Sequence, residues 1–282
     1  MCIRDRAITI QMINDLRAAT NVGMMDCKRA LQETNGNMEE AIKILREKGL
    51  ALQVKRADRE SKQGIIAAAA GADGAYGIVE LNCETDFVAK TDKFLDFAKK
   101  LAAAVASGDE NLAETHATEL TEVVAATGEN VKIRRCQHFA LTGTGMVEAY
   151  IHMGGKIGVL VEVGCGKAET VEKPAFQQLI HDICLQAAAA GARYLNETEV
   201  PAEEIESEKE VYRAQVEGKP ANIIEGILKG KLKKHFAEVC LIDQPFVKEP
   251  KMSVTDVVKQ AEKETGDTIT VKRFVRYQLG MA

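Results

Sequence analysis

The sequence has 282 residues, is 46% hydrophobic and 28% charged, and contains five prolines, which is enough material for a packed core and one to three domains. Its formal net charge of −5 gives no electrostatic footprint for nucleic acid, so we expect a protein partner and no direct nucleic-acid binding. Every apolar run is well short of the roughly 20 residues that cross a bilayer, and the start shows no secretion signal. These features predict a cytoplasmic protein without membrane association.

Signatures of catalysis and of metal binding are missing from the sequence. It holds no phosphate-binding G-x-x-x-x-G-K-[ST] loop, no H-E-x-x-H pair and no G-x-S-x-G turn. The cysteines are odd in number and form no C-x-x-C pair, which argues against a disulfide framework and a zinc site. They are Cys2, Cys27, Cys83, Cys136, Cys165, Cys184 and Cys240. These absences predict a binding protein that is not an enzyme, with no catalytic residue, cofactor or metal.

Three short helical patterns occupy the first fifty residues. The first includes Ile13, and a second follows it. Asn37 with Glu40 three places later is typical of a capped start for a third helix, which the apolar spacing extends over 38–48. Residues 53–63 are polar and charged with no apolar face, so the pattern predicts a linker there.

The chain then repeats itself. The stretch Gly74-Ala-Tyr-Gly-Ile-Val-Glu recurs as Gly155-Lys-Ile-Gly-Val-Leu-Val-Glu, an offset of 81 (155 less 74). In each copy two β-rich runs separated by a glycine-bearing turn predict a hairpin, and Phe94 or Phe176 opens the helical pattern that follows. We therefore expect two subdomains built on one plan.

A third strand closes each copy, and the second copy contains an insertion. Gly128-Glu-Asn-Val-Lys-Ile-Arg-Arg aligns with Gly266-Asp-Thr-Ile-Thr-Val-Lys-Arg at an offset of 138, which leaves about 57 extra residues (138 less 81). The insertion holds helical patterns over 202–216 and 221–236, joined by a turn at 218–220. This arrangement predicts an antiparallel helical hairpin that projects from the second subdomain.

These patterns together predict an α+β fold with an N-terminal three-helix module, two repeated core subdomains and an inserted hairpin. The expected division is residues 1–6 extraneous or disordered, 7–50 three-helix module, 51–63 linker, 64–144 first core subdomain, 145–199 with 237–282 second core subdomain, and 200–236 hairpin.

The hairpin helices carry opposite charges. Acidic residues lie on the first helix and basic residues on the second, so we favour charge pairing within the hairpin over binding to RNA. The acidic set is Glu203, Glu204, Glu206, Glu208 and Glu210, and the basic set is Lys229, Lys231, Lys233, Lys234 and His235.

Two segments allow both a structural and a functional interpretation. Met24 and Met25 follow Gly23 where a helix should begin, and they either fill the gap between helices, which the residues alone favour, or adapt to a partner surface. After a predicted strand comes Cys83-Glu-Thr-Asp-Phe-Val-Ala-Lys. Thr85 or Asp86 would cap a helix there and Phe87 would be a core residue, an interpretation that we favour over a binding finger.

The same two segments resemble the signature motifs of the bacterial elongation factor Ts family. The motifs are Thr20-Asn-Val-Gly-Met-Met-Asp-Cys-Lys and Asn82-Cys-Glu-Thr-Asp-Phe-Val-Ala-Lys, supported by His152-Met-Gly-Gly-Lys-Ile-Gly-Val-Leu and Gln244-Pro-Phe-Val. The resemblance extends over roughly residues 7 to 280. It implies the fold predicted above, with the three-helix module of the ubiquitin-associated (UBA-like) type.

The resemblance also implies a function. Members of this family act in translation as guanine-nucleotide exchange factors: they bind elongation factor Tu carrying GDP, disturb its magnesium and phosphate site, and so allow GTP to replace GDP. By resemblance, Asp86 and Phe87 would intrude near that site, with Thr85 and Val88 as their frame. The partner would be this GTPase, and the hairpin region would also allow a homodimer or a two-to-two assembly.

Further partner contacts follow from the same resemblance. Met24 and Met25 would face the GTPase domain of the partner, and the remaining contacts would face a distal domain. Those are His152, Gly154, Phe246 and Val247. A chaperone-like role without nucleotide exchange and, more remotely, an enzyme remain as alternatives.

Overall fold

The computed structural model describes residues 8–20, 22–56, 58–215 and 221–281. Three helices come first: α1 (Ile10–Thr20), α2 (Met24–Glu33) and α3 (Met38–Arg56). Their shared core includes Leu16, Leu31 and Leu45. The predicted cap of the third helix is confirmed, because Asn37 Oδ1 accepts hydrogen bonds from the backbone N–H groups of residues 39 and 40, at 3.1 and 3.3 Å.

The first core subdomain is a three-stranded antiparallel sheet, in the order β1-β2-β3, covered by helices. Its elements are β1 (Gln63–Ala70), β2 (Tyr76–Cys83), α4 (Asp86–Ala89), α5 (Asp92–Ala106), α6 (Leu112–Thr115), α7 (Ala117–Thr127) and β3 (Lys132–Phe139). Phe94 and Leu101 of α5 pack with Val79 and Leu81 of β2. Gly77 lets α5 approach the sheet, since a Cβ there would lie 2.3 Å from the backbone nitrogen of Ala106.

The second core subdomain repeats this sheet in the order β4-β5-β8. Its elements are β4 (Gly145–His152), β5 (Ile157–Cys165), α8 (Pro174–Ala190), α9 (Ala202–Ala214), α10 (Ala221–Val239), β6 (Pro245–Phe246), β7 (Glu249–Ser253), α11 (Val254–Thr265) and β8 (Ile269–Gln278). Phe176 and Ile180 of α8 pack on Val161 of β5, so the predicted repetition of hairpin, helix and third strand is confirmed.

The repeat extends to details that the sequence pattern did not reveal. Helices α7 and α11 both end at a glycine in the left-handed conformation, Gly128 with φ 69° and Gly266 with φ 65°. Both central strands also carry a register shift immediately after a buried glutamate, Glu80 in one copy and Glu162 in the other. Equivalent sequence positions therefore have equivalent backbone geometry.

The two sheets are joined through reciprocal contacts. Glu80 pairs with Arg135 (2.8 Å), whose guanidinium lies 4.2 Å from the ring centre of Tyr277 in the other sheet. In the mirror arrangement Glu162 pairs with Arg273 (2.7 Å), whose guanidinium lies 4.1 Å from the ring centre of Phe139. An apolar layer that includes Ile66, Ile78 and Leu160 lies between them.

Helix α3 is longer than predicted. It continues beyond 48 to Arg56 and so occupies 51–56 of the predicted linker. The apolar spacing ended the predicted helix at 48, because the next contact is made by a glycine, which an apolar pattern does not register. Gly49 is buried against α7, where a Cβ would lie 3.0 Å from Thr121 Cγ2 and 3.1 Å from Ala125 Cβ.

The inserted hairpin consists of α9 and α10, and the predicted turn at 218–220 falls outside the described residues. Charge pairing between its helices was predicted too broadly. Among the described residues, one member of the acidic set reaches the basic set, with 3.3 Å between Glu204 and His235. Lys231 instead lies over the ring of Tyr212, and Glu206 pairs with Lys209 on its own helix. Most of these charges face water, where pairing contributes little.

Within the described part of the chain, no helix is both long enough and apolar enough to cross a membrane.

Candidate functional site

The turn after β2 presents a large aromatic side chain to solvent. Thr85 caps α4, since its hydroxyl oxygen accepts a hydrogen bond from Val88 N at 3.4 Å, as predicted. The interpretation of Phe87 as a core residue is wrong: 80% of it is exposed. Helix α4 has a single turn, and it buries Ala89 and part of Val88, which leaves Phe87 on the opposite side.

Hydrogen bonds to the segment that leads into β3, at the same end of the sheet, fix this turn. The Glu129 carboxylate accepts from the backbone nitrogens of Glu84 and Thr85, both at 3.0 Å, and from Thr85 Oγ1 at 2.6 Å. Glu84 in turn accepts from Asn130 N at 2.7 Å and from Arg59 at 3.3 Å. The hydrogen bond from the backbone of Asn130 is the main cause of a lowered pKa of Glu84, and the hydrogen bond from the Arg59 side chain lowers this pKa further.

The carboxylate beside Phe87 is ionised at neutral pH. Lys90 Nζ lies 2.7 Å from Asp86 Oδ2, and its hydrogen bond and charge lower the pKa of Asp86 below the ordinary value of 3.8. Lys156 of the second subdomain lowers the pKa of Asp86 further. The site therefore combines an exposed ring with a negative charge next to it.

The turn between β4 and β5 packs against β1 of the first subdomain. Gly155 O accepts a hydrogen bond from Ile66 N of β1 at 2.8 Å, and a Cβ on Gly155 would lie 2.2 Å from Ile65 Cγ1. Only a glycine allows this approach. The contact holds against β1 the turn next to His152 and Gly154, which the resemblance implies as partner contacts.

Met24 and Met25 are exposed by 48% and 63%, so they do not fill the gap between helices. Cys27, Ala30 and Leu31 fill it instead, because their spacing places them on the inner face of α2. The methionines stand at the start of that helix as an apolar surface.

The last predicted pair is divided between core and surface. Phe246 is buried, whereas Val247 is 44% exposed and its backbone N–H donates to Gln186 Oε1 at 2.8 Å. Only Val247 therefore presents its side chain to solvent. The predicted residues come from four separate segments, and Lys156 of the turn between β4 and β5 is near enough to act electrostatically on Asp86.

Sequence reasoning missed two residues of this site, Glu129 and Lys156. A signal for Glu129 was present, since Gly128-Glu129 and Gly266-Asp267 occupy the same place in the two copies. Lys156 gave none, because its proximity to Asp86 arises from the packing of one subdomain on the other.

Comparison with known proteins agrees with this architecture. The family described as "Elongation factor TS" matches residues 84–281. The chain is 42% identical to elongation factor Ts of Clostridium perfringens (strain SM101 / Type A) and 44% identical to that of Trichlorobacter lovleyi, in each case over 97% of this chain and 93% of the relative. It is 41% identical to elongation factor Ts of Nitratidesulfovibrio vulgaris (strain DP4), over 97% of this chain and 96% of the relative.

These similarities define the class of the protein, which is a translation elongation factor. More narrowly, the chain belongs to the elongation factor Ts family.

Proposed function

We propose that this chain is a guanine-nucleotide exchange factor that binds elongation factor Tu carrying GDP and accelerates GDP release, so that GTP can bind. The observation that carries the proposal is the exposure of Phe87, 80% of which faces solvent on a turn fixed by hydrogen bonds. In this role the protein works by binding and changes no covalent bond.

The physical chemistry of the turn supports this role. Burying the exposed Phe87 ring against a partner removes apolar surface from water, which favours binding. Asp86 arrives with it and brings a negative charge, which repels nucleotide phosphate and competes for the groups that hold it. A ring wedged near the magnesium site and a carboxylate near the phosphates would both weaken GDP binding.

The release of the factor from its partner follows from the thermodynamic coupling between factor binding and nucleotide binding. Because binding couplings are reciprocal, a factor that lowers the affinity of its partner for GDP binds less tightly to a partner that holds nucleotide. Incoming GTP therefore displaces the factor. The factor raises the rate of exchange and leaves the equilibrium between GDP and GTP unchanged.

The remaining surfaces complete the proposed interface. Met24 and Met25 would contact the GTPase domain, since methionine side chains adapt to varied surfaces. His152, Gly154 and Val247 would face a distal domain, with Phe246 supporting Val247 from the core.

We place this activity in the cytoplasm, with a GTPase as partner and without direct contact to nucleic acid. The hairpin offers a route to a homodimer or a two-to-two assembly, since Val211 on α9 is exposed.

The test is stopped-flow release of a fluorescent GDP from a bacterial elongation factor Tu. We expect strong acceleration by the parent, a large loss in Phe87→Ala and in Asp86→Ala, and no loss in Ile10→Ala. Ile10 is a matched control because it is an equally exposed apolar residue outside the proposed interface. A parent that binds this GTPase without accelerating release would favour the chaperone-like alternative.

A further inference from the structure

The carboxylate of Glu129 accepts three hydrogen bonds from the turn before α4. Its Oε2 accepts the backbone N–H groups of Glu84 and Thr85, and its Oε1 accepts the Thr85 hydroxyl. Hydrogen bonds to an ionised carboxylate are roughly twice as strong as neutral ones. One side chain therefore holds both the backbone and the side chain of Thr85, the residue that caps α4.

The hydroxyl of Thr85 links this carboxylate to the position of Phe87. The hydroxyl proton is donated to Glu129 at 2.6 Å, which leaves the oxygen lone pairs free to accept Val88 N at 3.4 Å. Glu129 thereby orients the group that caps α4. A helical turn of four residues is not stable alone, so the direction of Phe87 depends on this cap.

The second copy uses the same device without an exposed ring. Asp267 Oδ2 accepts from Lys167 N at 2.8 Å and from Thr170 Oγ1 at 2.7 Å. A 3₁₀ helix, Ala168–Glu172, follows there, and its Val171 packs against the core. A carboxylate at this position is thus common to both subdomains, as Glu129 and Asp267. The exposed aromatic residue, Phe87, occurs in the first subdomain alone.

We propose that Glu129 is a positioning residue for nucleotide exchange, which holds the turn over residues 85–88 so that Phe87 and Asp86 meet the partner in one fixed direction. This inference rests on the proposed exchange function. Glu129 acts through Thr85 and itself touches neither partner nor nucleotide.

The Asp267 site supplies a matched control. Asp267→Ala removes the equivalent carboxylate from the equivalent turn of the other subdomain, so it reproduces the general loss of stability without disturbing Phe87. We expect Glu129→Ala to lower the maximal GDP release rate at saturating factor by about ten- to hundredfold, the scale of small misplacements of reacting groups. Asp267→Ala should keep the parental rate. Glu129→Gln, which retains one acceptor oxygen, should be intermediate and guards against misfolding of the alanine variant.

A double-mutant cycle separates positioning from simple destabilisation. If Glu129 acts through the turn, Phe87→Ala should cost much less in the Glu129→Ala background than in the parent, because both changes remove the same interaction. Equal costs in the two backgrounds, or equal slowing by Glu129→Ala and Asp267→Ala, would overturn the inference.

Hydrogen exchange of the free protein gives a readout that does not depend on the partner. In Glu129→Ala the amides of Glu84 and Thr85 should lose protection, whereas Asp267→Ala should leave them as in the parent. Unchanged protection in Glu129→Ala would refute the positioning role whatever the release rates. A parent that fails to accelerate GDP release would instead refute the proposed function, and the positioning role would fall with it.

Discussion

Phe87 and Phe94 lie seven positions apart and have opposite environments. Phe94 is fully buried in the core under β2, whereas 80% of Phe87 is in water. Because the two side chains differ only in burial, we expect Phe94 to contribute to the stability of the fold and Phe87 to contribute to partner binding.

We therefore expect Phe94→Ala to lower the free energy of unfolding by about 3–5 kcal/mol, the usual cost of emptying a buried phenylalanine site. Phe87→Ala should change it by less than about 0.5 kcal/mol, as is typical of surface substitutions. Urea unfolding of both variants measures the difference. A large loss of stability in Phe87→Ala would mean that the ring is packed in solution and is not available to a partner.

The charge next to Phe87 also has a testable origin. Lys90 is the main cause of the lowered pKa of Asp86, so Lys90→Met should raise that pKa toward its ordinary value of 3.8. Carbon-13 NMR titration of the Asp86 carboxyl group measures the shift. Lys99→Met is the control, because Lys99 forms a similar exposed pair with Asp96 on α5. An unchanged Asp86 titration in Lys90→Met would show that the pair with Lys90 does not persist in solution.

At the scale of elements, the three-helix module is held on the core by α3 and α7. The contact is close because Gly49 has no side chain: a Cβ there would lie 3.2 Å from the carbonyl oxygen of Thr121. Lys93 of α5 adds a tether, with 3.4 Å from its Nζ to Thr20 O and 3.3 Å to Glu122 O. The position of the methionine pair relative to Phe87 thus depends on this contact.

Gly49→Leu should force α3 away from α7 and cost about 1–3 kcal/mol of stability, the usual range for overpacking. Gly230→Leu on α10 is the control, since a Cβ there meets nothing within 4 Å and removing a helix glycine is favourable by itself. Thermal unfolding of both variants tests the contact. If Gly49→Leu were as stable as the parent, the two helices would not be packed as described.

At the scale of the whole molecule, the buried carboxylate of Glu162 in the second sheet makes stability depend on pH. Burial alone would raise the pKa of Glu162, but hydrogen bonds from Thr142 and Arg273 outweigh it, and the pKa is lowered from 4.5. A lowered folded-state pKa means that the charged form stabilises the fold. This stabilisation is present above pH 4.5 and is lost as the pH falls through the folded-state pKa.

Glu162→Gln should therefore weaken the protein at neutral pH by about 1–3 kcal/mol, the cost of a lost charge-assisted hydrogen bond, and should flatten the fall in stability below pH 4.5. Urea unfolding between pH 3 and 7 measures both effects. An unchanged pH dependence in Glu162→Gln would show that this carboxylate is not the group that titrates.

The sequence by itself determined the repeated subdomains, the inserted helical hairpin and the family. These features reside in local periodicity and in recurring motifs such as Gly74 to Glu80 and Gly155 to Glu162, which are readable along the chain. The capped starts at Asn37 and Thr85 were also predictable, because caps involve neighbours within a few residues.

Only the tertiary structure decided that Phe87 is exposed, that α3 continues to Arg56, and that Glu129 and Lys156 belong to the site. Each depends on contacts between residues distant in sequence, where the apolar pattern of a short segment carries no information. A phenylalanine on a single helical turn fits a core as well as a surface until the sheet beneath it shows which side is already filled.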